Sequence, residues 1–118
     1  MAKYMEKMLP DGPKGELENV SLVDRANVVS GDPDEQAALF FSKDGVTAGV
    51  WECGAYKERI ENRPVEEMCV VISGEVTLST DDGASETYGP GDSFLFRRGF
   101  TGYWETKDRF RKYFFSTS

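Results

Sequence analysis

Turn signals in this 118-residue chain recur from residue 43 onward at a spacing of roughly ten residues, the rhythm of an all-β sandwich or barrel. "KDG" stands at 43–45, "NRP" at 62–64, "SGE" at 73–75, "DDG" at 81–83, "GPGD" at 89–92 and "RRG" at 97–99. Between them lie short β-branched and aromatic runs: "VTAGVWEC", "VEEMCVVI", "VTLST", "ASETY", "SFLF", "FTGYWET" and a final "RFRKYFFS". None is long enough for the βαβ alternation of a parallel sheet. Asp82-Gly83 is a two-residue hairpin signal, because glycine accepts the positive φ of such turns. At least seven strands are expected, closed into a barrel or doubled into two sheets so that few edges stay bare.

Upstream, Pro10, Gly12, Pro13 and Gly15 break residues 1–20 into an extended arm, leaving 21–118 as a single domain. "AALFFS" reads as a further strand, with Asp32 and Pro33 positioned to start one helical turn before it. Asp32, Asp34 and Glu35 read as turn chemistry.

A net charge of −7 argues against nucleic acid or an anionic membrane as partner, since both recruit basic surfaces. "AALFF" and "MCVVI" are too short to span a bilayer, and "MAKYMEKMLP" lacks the apolar stretch of a secretory signal. Cys53 and Cys69 are not in redox-motif spacing and read as two free thiols of a reducing compartment. The expected location is therefore cytoplasmic.

Alternation along strands selects the side chains with chemistry. In 67–73, Glu67, Cys69 and Val71 share one face and Met68, Val70 and Ile72 the other, so burial on both sides is expected. In the last run Lys112 lies in line with Phe110 and Phe114, an unfavourable place for an ammonium unless it is paired or snorkels out. Glu67 reads either as a pocket carboxylate acting as base or amine hook, or as half of an ion pair with Lys112.

The stretches "EEMCVVISG" and "PGDSFLFRRG" carry a resemblance. Glu67 followed by six residues and Gly74 resembles the end of the first cupin motif, and Gly91, Arg97 and Gly99 resemble the start of the second. With "GVWECG", "GYWE" and "RKYF", residues 40–115 are similar to small single-domain cupins related to the ureidoglycine aminohydrolase cupin domain. That resemblance implies a cupin-type jelly-roll barrel, a homodimer, and a pocket for a small polar metabolite in the barrel mouth. Metal cupins carry histidines before the glutamate and in the second motif, whereas this chain has no histidine and Gly102 stands at the later position. No metal or cofactor is therefore expected, the remaining donors near Glu67 being Cys69, Glu61 or Asn62.

Glu67 and Lys112 are the candidate acid and base. Trp51, Tyr56, Tyr103 and Trp104 are candidates for stacking on a ligand, and Arg97 for holding an anionic group. A one-residue slip near "RRGF" would exchange Tyr103 and Trp104 between inside and outside. Arg109 and Arg111 read as charges guarding a strand edge. Three functions fit: a metal-free binding domain, an amidohydrolase, lyase or isomerase using Glu67 with or without a metal, and a structural domain with a filled barrel.

Overall fold

The computed structural model describes residues 4–118 as two antiparallel sheets facing each other across one core. Its strands are β1 (Glu18–Asn19), β2 (Val28–Gly31), β3 (Gln36–Lys43), β4 (Val46–Cys53), β5 (Tyr56–Ile60), β6 (Glu66–Ser73), β7 (Val76–Thr80), β8 (Ser85–Tyr88), β9 (Ser93–Phe96), β10 (Gly102–Thr106) and β11 (Phe110–Thr117). One sheet runs β1-β3-β4-β11-β6-β9 and the other β2-β5-β10-β7-β8. This is the expected all-β cupin jelly roll.

Pairing register determines what meets inside. On the six-stranded sheet Ala37, Trp51, Lys112 and Val71 form one inward row, while Gly49, Phe114, Cys69 and Phe94 form the next. On the five-stranded sheet Glu58 lies opposite Trp104, which lies opposite Leu78. The aromatic packing is continuous: Trp104 stacks on Phe96 at 5.9 Å and meets Trp51 and Phe110 edge-on at 5.7 and 5.4 Å. Such edge and offset contacts suit the ring quadrupole. Gly74, between β6 and β7, has φ of 77°, and a Cβ there would run into the Arg109 carbonyl, so the motif glycine is required twice over.

Several expectations are corrected. The single helical turn is a 3₁₀ turn at Arg25–Asn27 capped by Asp24, not one begun at Asp32. The segment 67–73 is not buried on both sides: Met68 is exposed, and Phe41, Met68, Leu95 and Phe115 lie along the outer face. β11 is no edge strand, since β4 and β6 flank it. Arg109 and Arg111 therefore do not guard an edge. Each donates from Nε to Glu52 at 2.7 Å, and Arg111 also reaches Asp11 and the Pro10 carbonyl of the N-terminal arm. β5 went unread because "YKERI" has charge at three of its five positions.

Candidate functional site

An open cavity of about 1030 Å³ lies between the sheets, so the barrel is not packed shut. β4, β6 and β11 supply one wall with Trp51, Glu67 and Lys112, and β5 and β10 supply the other with Tyr56, Glu58 and Trp104. Each side chain points inward because it occupies the same alternate phase as its apolar neighbours on the strand.

On the six-stranded wall Lys112 and Glu67 form a buried ion pair, with residue exposures of 6% and 9%. Arg63, from the loop before β6, donates to the other carboxylate oxygen at 2.7 Å and to the Phe96 carbonyl at 3.2 Å. The Cys69 thiol donates to Glu67 at 2.9 Å. Burial acts to raise the Glu67 pKa, but the charges of Lys112 and Arg63 outweigh it and hold the carboxyl down at about 2. Burial likewise opposes the Lys112 ammonium, yet the negative charge that Cys69 and Glu67 can carry keeps its pKa above the ordinary value. The ammonium also sits 5.2 and 5.0 Å from the Trp51 and Trp104 ring centres, within cation–π range. Burial pushes the Cys69 thiol up to about 12, so it is a neutral donor and not a reactive thiolate.

Trp51 is equally satisfied. Its indole N–H donates to Glu35 at 3.0 Å, and the same carboxyl accepts the Leu22 and Val23 backbone N–H groups. Glu35 is thus a buried anchor of the cavity wall, where the sequence had suggested a turn residue.

The five-stranded wall differs. Tyr56 donates to Glu58 at 2.9 Å, and among the described residues Glu58 has no ion-pair partner. Burial raises its pKa; Glu35 adds to the rise, while Tyr56, Arg63 and Lys112 oppose it without reversing it. Trp104 is 3% exposed, and its indole N–H has no hydrogen-bond partner among the described residues.

Trp51, Tyr56, Glu67, Trp104 and Lys112 thus converge on one cavity, and two candidates do not. Arg97 is exposed and forks onto Glu66 at 2.9 and 3.2 Å, because Glu66 occupies the strand face opposite Glu67. Tyr103 faces outward, where Lys57 and Arg59 lie over its ring at 4.7 and 5.1 Å; the inward phase belongs to Trp104. Sequence reasoning missed Glu35, Glu58 and Arg63. The Arg63/Glu67 spacing of four and the Tyr56/Glu58 spacing of two were the available signals.

The donor set does not fit the transition metal of histidine cupins. Both oxygens of Glu67 already accept from cationic donors, and the described residues contain no cluster of three acidic, cysteine or histidine ligands. The later histidine position is closed as well. A Cβ on Gly102 would collide with the Ser79 carbonyl and come within 2.9 Å of the Thr80 Cα.

Residues 42–114 match the model of the EutQ-like cupin domain. The chain belongs to that family. Among solved structures, this EutQ-like cupin is similar to a protein of unknown function from Pseudomonas syringae pv. tomato, with 25% identity and a TM-score of 0.79 over 86% of this chain and 44% of that one. It shares its fold with the EutQ protein of Clostridium difficile, at 16% identity and a TM-score of 0.63 over 74% of this chain and 64% of that one. The same holds for a protein assigned as ethanolamine utilization protein Q from Salmonella typhimurium, at 15% identity and 0.62 over 95% and 98%. The EutQ-like cupin thus spans less than half the length of the Pseudomonas protein and under two thirds of the Clostridium one. No protein of curated function matches it.

Proposed function

We propose that this cupin binds a small polar metabolite in the cavity between its sheets, without a transition metal. The observation that carries the reading is the cavity itself: about 1030 Å³, walled by Trp51, Trp104 and Phe96, with a few convergent polar groups among the aromatic rings. Small-molecule sites combine an apolar body with a few fixed polar groups in this way. A filled, purely structural barrel is disfavoured by the same cavity.

NMR screening of small polar fragments tests the reading. Perturbed resonances are expected at Tyr56, Glu58, Trp104 and Lys112. Perturbations confined to the outer faces of the sheets would overturn it.

A second reading, an enzyme of amidohydrolase, lyase or isomerase type, is favoured by one observation. Glu58 has a raised pKa and a phenol hydrogen bond, the state of a carboxyl able to exchange a proton with a bound molecule. Glu67 is a weak base when held at about 2 by two cations, so the acid–base role moves from the Glu67–Lys112 pair to Glu58. Elemental analysis of protein purified without chelator is expected to give no stoichiometric transition metal. A metal lost on Glu67→Ala would contradict that.

A further inference from the structure

The outer faces of the two sheets differ in kind. On the five-stranded sheet the outward phase carries Lys57, Arg59, Glu105, Thr77 and Ser79, side chains that water solvates. On the six-stranded sheet one outward row runs Phe41, Ala48, Phe115, Met68, Leu95 from β3 to β9 and contains no charge. Phe41, Phe115, Met68 and Leu95 are 46%, 40%, 49% and 65% exposed. Contiguous bare apolar surface five strands wide marks an interaction site.

The N-terminal arm lies on the same face. Tyr113 donates to the Met8 carbonyl at 2.9 Å and Arg111 to the Pro10 carbonyl at 2.8 Å. Gly12 is seated so close to Ala38 that a Cβ there would come within 2.7 Å of the alanine's. Tyr113 stands one outward step from Phe115, so the arm borders the apolar row without covering it. The arm itself exposes Tyr4, Met5, Met8 and Leu9. The row presents roughly 400 Å² of apolar surface and the arm a comparable area. A stable interface takes about 800 Å² from each partner, so neither suffices alone and the two together do.

We infer that this face is the two-fold interface of a homodimer, each copy laying its apolar row on the row of the other and its arm against the other's sheet. A second copy is the occupant because it brings face and arm together, whereas a partner seated on the face alone would leave the arm bare. The row is also self-complementary. β11 is the middle strand of β3-β4-β11-β6-β9, so a two-fold axis along it sets Phe115 on Phe115 and Phe41 on Leu95. The same axis sets short Ala48 against long Met68. Lys43 and the Glu66–Arg97 pair stand in the next outward row and supply a polar rim.

Sedimentation equilibrium of the full chain tests the inference and is expected to give twice 13.2 kDa. Leu95→Glu should weaken dimerisation at least ten-fold with an unchanged circular dichroism spectrum. Adding Phe41→Lys should restore it, because the two residues meet only between copies: four strands, or about 19 Å, separate them within one chain. Phe115→Cys, on the axis, should give a disulfide-linked dimer under mild oxidation, and Ser79→Cys on the other sheet should not. Cys53 and Cys69 are buried and do not compete. A monomer at tens of micromolar, a dimer whose affinity L95E leaves unchanged, or one that Phe115→Cys fails to cross-link would overturn the inference.

Discussion

The two walls of the cavity are built from similar residues and left in opposite states. Each presents one glutamate and one tryptophan. On the six-stranded sheet Glu67 is held by Lys112 and Arg63, and Trp51 donates to Glu35. On the five-stranded sheet, among the described residues, Glu58 has no ion-pair partner and the Trp104 indole N–H has no acceptor. A buried polar group is costly when unpaired, so the two walls differ in what their polar groups contribute to stability. The six-stranded wall is the satisfied one; the five-stranded wall carries the unpaired groups.

The largest expected difference between them is in stability. Glu67→Gln leaves Lys112 as a buried ammonium without its anion and is expected to cost about 3–5 kcal/mol by chemical denaturation. Pairing it with Lys112→Met removes both charges, and the double variant is expected to recover much of that loss. A double variant no more stable than Glu67→Gln would break the claim that the ion pair organises this wall.

The same carboxylate governs acid behaviour. Its folded pKa of about 2 lies below the ordinary 4.5, so its stabilisation is complete above pH 4.5 and is lost as pH falls toward 2. On the order of 3 kcal/mol is expected to vanish across that window, and Glu67→Gln should lack this limb. Equal acid sensitivity in the two proteins would contradict the assignment.

Smaller effects sharpen the tryptophan comparison. Trp51→Phe and Trp104→Phe remove similar bulk, but only the first breaks a hydrogen bond. Trp51→Phe is expected to cost more by about 1 kcal/mol. The smallest effect is of opposite sign. A carboxyl with a raised folded pKa adds stability below its unfolded pKa and loses it as pH rises, so Glu58→Gln should stabilise slightly at neutral pH. Glu58 is only partly buried, and solvent screening limits the gain to a fraction of a kcal/mol.

Much of the fold was legible because hairpin chemistry is local. Asp82-Gly83 and Gly74 each fix a turn through the φ a glycine can adopt, and inward phase follows from alternation once the turns are placed. The Glu67–Lys112 pair was accessible by the same logic, since both residues stand in apolar phase. What escaped was set by long-range pairing. Glu58 lies on a strand whose charged sequence hides its inward phase, and only its pairing with β10 brings it opposite Trp104. Arg63 comes from a loop, and Glu35 acquires its role from Trp51, sixteen residues away in sequence. Arg97 and Tyr103 sit one residue out of inward phase, which is why two plausible ligand contacts point to the surface.

The most direct test is a carbon-13 NMR pH titration of the side-chain carboxyls of Glu58 and Glu67 in the same ligand-free sample. Glu67 is expected to titrate near 2 and Glu58 above the ordinary 4.5. Two glutamates titrating together, or Glu58 as the lower of the pair, would contradict a cavity with one satisfied wall and one unsatisfied.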